Sequence, residues 1–111
     1  MNIAITFRQM EATEAVRTYA TDKVGKLQKF LRSPMRSEVK VSCQNRNHSA
    51  EIDVHAGPLH FHAHETSEDM YASIDSATDK LERQMRAQHE SRIKKGGDRA
   101  SDHLLPDVGD E

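Results

Sequence analysis

The chain opens with a segment in which apolar and polar residues alternate. Within residues 2–8, Ile3, Ile5 and Phe7 fall on one side, and smaller or polar residues fall on the other. A period of two is typical of a β-strand that buries one face. The segment therefore predicts a first strand with a single apolar face.

The next segment changes to the period of a helix. Thr13 is a residue type that favours the N-cap position, and apolar residues recur from there to about Arg32 at intervals of three and four. These residues are Val16, Ala20, Val24, Leu27 and Leu31. The pattern predicts an amphipathic helix of about 30 Å at 1.5 Å per residue. We expect it to end before Pro34, because the residue preceding a proline disfavours helical angles.

Three further alternating segments follow, at residues 38–44, 50–56 and 59–65, and short connectors rich in turn-forming residues separate them. They predict two successive hairpins and an antiparallel meander. The positions expected to face inward are Val39, Val41, Cys43, Ala50, Ile52, Val54, Ala56, Leu59, Phe61 and Ala63.

A second helix is predicted to begin near Thr66 and Asp69, which have the spacing of a capping box, and to run to about Ile93, before two glycines. Its apolar stripe is Met70, Ile74, Ala77, Leu81 and Met85.

The element order β-α-β-β-β-α indicates an α+β fold. Each strand has one apolar face and each helix one apolar stripe, so both helices should pack on one face of a four-stranded mixed sheet. The first two strands should run parallel if they are adjacent. We expect one domain over residues 1–95 and an acidic tail, poor in core residues and disordered, over residues 96–111.

Composition narrows the class of protein. No stretch approaches the roughly 20 apolar residues of a membrane span, and the N-terminal residues lack a secretory pattern. The single cysteine, Cys43, cannot form an internal disulfide. We therefore expect a soluble, cytoplasmic protein that does not engage a membrane.

The net charge of −2 conceals an uneven distribution. Residues 80–95 contain six basic and two acidic residues, whereas residues 98–111 contain one basic and five acidic residues. An acidic tail thus masks a basic body.

Much of the basic charge lies on the predicted helices, opposite their apolar stripes. At 100° per residue, Lys80, Arg83 and Arg86 point away from the core side of the second helix, and Lys26 and Lys29 do so on the first. Lys23 lies at the border, and residues 92–95 extend the row. Two interpretations are open: a solvated exterior with acidic neighbours, which the pattern alone favours, or a surface that binds phosphates.

The histidines of the last strand offer a different chemistry. His60, His62 and His64 should share the outer face, with His55 on the neighbouring strand, and imidazoles are common metal ligands. Same-face neighbours along one strand are about 6.6 Å apart, so the three rings cannot converge on an ion without distortion. We therefore assign no metal site, but a histidine-rich metal-binding or protein-interaction module stays as the alternative function.

The sequence gives little support to an enzymatic function. Cys43 is predicted to face inward and the histidines outward, so they should not form a nucleophile and base. We assign no catalytic residue, no cofactor and no small-molecule substrate.

Two segments carry a family resemblance. "EDMYASIDSATDKLERQMR" and "MEATEAVRTYATDKVGKLQKF" resemble the second and first helices of the ribosome hibernation-promoting factor and ribosome-associated inhibitor A family, formerly described as sigma-54 modulation proteins. With the opening strand and the element order, the resemblance covers about residues 1–95. It implies a fold similar to that of double-stranded-RNA-binding domains.

The resemblance also implies a function. Family members are stress-time factors that occupy the decoding channel of the small ribosomal subunit, where they overlap the tRNA and mRNA sites. The partners implied are the small subunit and its rRNA, and the protein should be a monomer off the ribosome. The implied RNA-binding residues are Lys23, Lys26, Lys29, Lys80, Arg83 and Arg86, with Arg92, Lys94 and Lys95 as looser matches.

The chain is similar to the short forms of the family, which lack a C-terminal dimerising domain. Its acidic tail resembles that of the inhibitor branch, whose members keep ribosomes single, whereas members with little tail favour ribosome pairing. The sequence leaves the branch open.

Overall fold

A computed structural model describes the backbone of residues 1–94 and the side chains of residues 1–88. The predicted tail and Lys95 lie outside this part. The elements are β1 (Asn2–Arg8), α1 (Glu14–Gly25), a short 3₁₀ segment (Lys26–Phe30), β2 (Arg36–Gln44), β3 (Asn47–Ala56), β4 (Leu59–Ser67) and α2 (Met70–Lys94). This order confirms the predicted α+β class. Within residues 1–94, no helix combines the length and apolar character needed to cross a bilayer.

The four strands form one mixed sheet in the order β1-β2-β3-β4. The crossover through α1 makes β1 and β2 parallel, as predicted, and the two later pairs are antiparallel. The β3–β4 turn uses Gly57 at a φ of 60°, a left-handed conformation that side chains with a Cβ rarely adopt. The sheet therefore has the meander register that the alternating segments predicted.

The core lies between one face of the sheet and the two helices. Most inward positions of the strands and the whole predicted α2 stripe are buried, and α1 contributes Val16, Ala20 and Val24. Cys43 and Leu59 are only half-buried. Both helices thus cover the same face, as expected.

The first helix is shorter than the sequence predicts. Regular α-helix ends at Gly25, and the chain continues as a 3₁₀ segment rather than as α-helix to about Arg32. In a 3₁₀ helix residues three apart share one side, so Leu27 and Phe30 both turn towards the core. The Gln28 side chain stabilises the following turn, because it donates to the Ser33 carbonyl and accepts from the Met35 N–H, at 2.9 and 2.8 Å.

The N-terminus of α2 also differs from the capping-box prediction. Asp69 is the cap, since its side chain accepts from the Tyr71 N–H at 3.3 Å and its carbonyl accepts from the Ser73 N–H at 3.0 Å. Thr66 belongs to β4, where its hydroxyl lies 3.0 Å from that of Ser49. The strand pairing takes Thr66 away from the capping position.

A buried hydroxyl fixes the start of α2 against the sheet. Ser73 is fully buried, and its hydroxyl donates to the His48 carbonyl of β3 at 2.6 Å. The same hydroxyl lies 2.7 Å from that of Ser67 at the end of β4. One serine therefore connects the first turn of α2 to two strands.

Two helical side chains hold α1 and α2 together at the protein surface. The Tyr19 hydroxyl donates to Asp75 Oδ1 at 2.6 Å, and Lys23 Nζ lies 3.3 Å from the same oxygen. The Tyr19 ring meets the ring of Tyr71 edge-on, with 4.9 Å between centroids. The hydrogen bond to the Asp75 carboxylate, aided by partial burial, raises the pKa of Tyr19 to about 12.

We predict that Ser73→Ala lowers the free energy of unfolding by about 1–3 kcal/mol, because the His48 carbonyl loses its donor in a partly buried position. Ser76→Ala is the matched control, since Ser76 is an exposed serine of the same helix and its change should stay within about 0.5 kcal/mol. Urea denaturation measures both. Equal stability of the two variants would contradict the anchoring role.

We predict that Asp75→Ala lowers the Tyr19 pKa from about 12 towards the ordinary value of about 10. The pKa of Tyr19 is raised in the folded state. The stability that its hydrogen bond to Asp75 provides is therefore complete below about pH 10 and is lost as the pH rises to about 12. Absorbance of tyrosinate, recorded in a Tyr71→Phe background, reports Tyr19 alone. Asp79→Ala, one turn further along α2, should leave the titration unchanged.

Candidate RNA-binding surface

The basic residues of the first helix line a groove between the two helices. Lys23, Lys26 and Lys29 stand on one wall of this interhelical groove, and Asp79 and Glu82 of α2 stand on the other. Lys26 and Lys29 are exposed, whereas Lys23 is half-buried beside Asp75. The change to 3₁₀ geometry places Lys26 and Lys29 beyond the last α-helical turn, but all three lysines still border the same groove.

Phe30 brings cations from both helical elements together. Lys29 Nζ and Arg86 Cζ each lie 5.3 Å from the centroid of its ring, within the range of cation–π attraction. Arg86 also contacts Glu82 Oε2 through Nε and Nη2, at 3.0 and 2.8 Å. The half-buried Phe30 therefore acts as a platform under two charges, rather than as a free stacking surface.

Lys80, Arg83 and Arg86 are spread around the outer surface of α2. Lys80 lies on the flank next to β4, where Nζ is 2.7 Å from Glu65 Oε2. On that flank Gln84 also donates to the His62 carbonyl at 3.0 Å. Arg86 lies on the opposite flank, next to the 3₁₀ segment, and Arg83 is exposed between them. The basic surface is therefore curved rather than a straight row. We call it the basic band, and it consists of Lys23, Lys26, Lys29, Lys80, Arg83 and Arg86.

Carboxylates compensate part of this band. Lys23, Lys80 and Arg86 each have an acidic partner. Among the side chains that the structure describes, Lys26, Lys29 and Arg83 form no ion pair with an acidic residue. Arg92 and Lys94 belong to α2, but their side chains fall outside the described part, as does Lys95.

The outer face of the sheet carries the predicted histidines. It also carries acidic residues that were not predicted as part of this group. His60, His62 and His64 are exposed on β4, and Asp53 and Glu51 stand beside them on β3. The nearest nitrogen–oxygen distances are 2.9 Å from His60 to Asp53 and 3.0 Å from His62 to Glu51. Hydrogen bonding from His62 holds the pKa of Glu51 below its ordinary value.

These acidic neighbours could have been found from the pattern. The same alternation that turns Ile52 and Val54 inward turns Glu51 and Asp53 outward, and the short turn at residues 57–58 sets them opposite His64 and His62. The pattern within each strand placed His55 beside the β4 histidines, and pairing across the hairpin adds Glu51 and Asp53 to the same face.

A second contact concerns Cys43. The expectation that it stays apart from the outward histidines of β4 ignored His48, which pairs directly with Cys43 across β2 and β3. Cys43 Sγ lies 3.7 Å from His48 Nε2. His48 Nδ1 is buried and has no hydrogen-bond partner among the described residues, so nothing orients the ring as a general base.

Comparison with known proteins places this architecture in a family. A profile described as sigma 54 modulation protein / S30EA ribosomal protein matches residues 3–93. The ribosome hibernation promoting factor of Escherichia coli (strain K12) is 32% identical over 94 residues, covering 85% of this chain and 98% of the relative. The factor of that name from Azotobacter vinelandii is 29% identical over 107 residues, covering 96% of this chain and all of the relative.

A solved structure supports the same relationship. The N-terminal domain of Thermus thermophilus Protein Y superposes with a TM-score of 0.73 at 32% identity, covering 77% of this chain and 96% of that domain. The family profile spans nearly all of the described backbone, from β1 to the last turn of α2. The chain therefore belongs to the sigma 54 modulation protein / S30EA ribosomal protein family.

Proposed function

We propose that this protein is a cytoplasmic ribosome hibernation factor, not an enzyme, that binds the small ribosomal subunit through the basic band on its helices. Occupancy of the decoding region would exclude tRNA and mRNA and so repress translation under stress. The names of the curated relatives support the hibernation role. The helix surface supports the mode of binding.

One observation carries the mode of binding. Lys26, Lys29 and Arg83 are exposed and, within the described part of the chain, have no acidic partner. Lys26 and Lys29 line the groove between α1 and α2, and Arg86 meets Lys29 at Phe30. Arg83 is exposed on the outer surface of α2. Lys26, Lys29 and Arg83 can therefore each approach a phosphate without first breaking an ion pair, whereas Arg86 would have to exchange Glu82 for the phosphate.

The expected energetics are those of phosphate binding. Cations that neutralise RNA phosphates release condensed counterions, so affinity should fall steeply with salt. The three ion-paired cations can also contribute, because exposed ion pairs are worth only about 0–1 kcal/mol each and can exchange a carboxylate for a phosphate. Among the described residues, the band has no group arranged to recognise the edges of bases. We therefore expect recognition to depend on the shape and the phosphate backbone of the rRNA.

We predict that reversing Lys26, Lys29 and Arg83 to glutamate greatly weakens binding to isolated small subunits. The slope of log affinity against log salt should become shallower by about three, one unit for each lost phosphate contact. Co-sedimentation at several salt concentrations measures both quantities. Binding of the wild type to large subunits alone, or a salt-independent affinity, would contradict the proposal.

The matched control reverses three exposed arginines away from the helix surface. Arg8, Arg36 and Arg46 lie on β1, β2 and the β2–β3 turn. Reversing them changes the net charge of the protein by the same amount. This triple variant should keep the salt slope of the wild type. Equal losses in the two triple variants would show that total charge matters and that the helix surface does not.

We also predict that Glu82→Gln strengthens binding to the small subunit by a few-fold. The substitution removes a negative charge from the groove and releases Arg86 from its 2.8 Å ion pair. Glu38→Gln on the exposed outer face of β2 is the control and should have little effect. A loss of affinity in the Glu82 variant would show that the ion pair positions Arg86 for RNA.

A further inference from the structure

The outer face of the sheet contains a compact group of potential metal ligands. Glu51, Asp53 and His62 each contribute one ligand atom, and the three atoms lie within 4.8 Å of one another. His62 is directly opposite Asp53 in the β3–β4 pairing and reaches diagonally to Glu51, with 3.0 Å between Nε2 and Oε2. The imidazole therefore stands between two carboxylates that would otherwise be separated along one strand.

The spacing of these atoms is close to what a small cation requires. Zinc binds nitrogen and oxygen donors at about 2.0–2.2 Å, which places tetrahedral donors about 3.4 Å apart. Movements of about 1 Å would bring the three ligand atoms to that separation. The side chains have room to make them, since Glu51, Asp53 and His62 are 40%, 24% and 45% exposed.

We propose that Glu51, Asp53 and His62 form a surface site for a divalent transition-metal cation such as zinc. One imidazole nitrogen and two carboxylate oxygens supply three ligands, and water completes the coordination. His62 must then carry its proton on Nδ1, so that the lone pair on Nε2 faces the ion and replaces the hydrogen bond to Glu51.

Neighbouring histidines orient one of the ligands. A carboxylate only accepts hydrogen bonds, so His60 Nε2 donates to Asp53 Oδ1 at 2.9 Å and leaves the second oxygen for the ion. The His60 ring is itself stacked on His55, with 4.2 Å between centroids and 5° between planes. Such outer contacts fix the orientation of metal ligands. His60 is thus a positioning residue of the site.

The ligand set also predicts selectivity. Magnesium and calcium prefer oxygen ligands and six or more of them, whereas imidazole suits zinc, copper and nickel. Millimolar magnesium should therefore not displace zinc. The site lies on the outer face of the sheet, and the inference does not rest on the function proposed for the basic band.

Competition between the full-length protein and a chromophoric zinc indicator tests the site, and visible absorption of bound Co²⁺ reports direct coordination. His62→Ala and Glu51→Gln should each weaken zinc binding by about tenfold or more and reduce the cobalt spectrum. His64→Ala is the matched control, because it removes a histidine from the same strand and face that lies outside the ligand group. It should change the affinity by less than about twofold.

Circular dichroism in the absence of metal verifies that each variant is folded. Binding by any other histidine of the chain is common to all variants and cancels in the comparison. The proposal fails if the wild type does not bind zinc, if millimolar magnesium displaces the zinc, or if His64→Ala loses as much affinity as His62→Ala. Unchanged binding in both ligand variants would also overturn it.

Discussion

Burial of a single sheet face against two helices is the constraint on which the rest of the structure depends. Val39, Val41 and Ile52 are fully buried under the helices, and each such side chain stabilises the fold by about 1.5–3 kcal/mol. Exposed ion pairs contribute about 0–1 kcal/mol each. Because burial dominates, the surface charges on the helices contribute little to the stability of the fold, apart from the contact of Lys23 with Asp75 between α1 and α2.

The same constraint gives the molecule two polar surfaces on opposite sides of the core. Side chains alternate across each strand, so covering one face with helices leaves the other face open to solvent. The outward positions of β3 and β4 hold acids and histidines, whereas the outward side of the helices holds lysines and arginines. The core separates most of the two surfaces, and they approach each other at β4, where Gln84 donates to the His62 carbonyl and Lys80 pairs with Glu65.

Local periodicity was enough to predict the sheet, the two helices and their buried stripes. It failed where a tertiary contact decided the local structure. The 3₁₀ segment forms where Leu27 and Phe30 share the core side, and Gln28 bonds to the chain ahead of β2. Asp69 caps α2 because strand pairing holds Thr66 in β4. The periodicity of a single sequence contains no information on such tertiary contacts or on strand pairing.

The same limit applies to the candidate sites, where the pattern predicts which way a side chain points but not which residue it contacts. Helical angles predicted that Lys80 and Arg86 point away from the core, but not that Lys80 would meet Glu65 across the flank of α2. Nor did they predict that Arg86 would share a phenylalanine ring with Lys29. Those contacts depend on which strand and which turn the helix faces once the core has formed.

The ion pairs also bear on how a basic band can coexist with a small folded domain. Six cations without any acid nearby would repel one another, whereas Asp75, Asp79 and Glu82 lie among them and reduce that repulsion. In the proposed binding mode, an RNA phosphate would compete with these carboxylates for the same cations, at a surface where water screens both. Affinity gained in this way would be sensitive to salt and readily reversible.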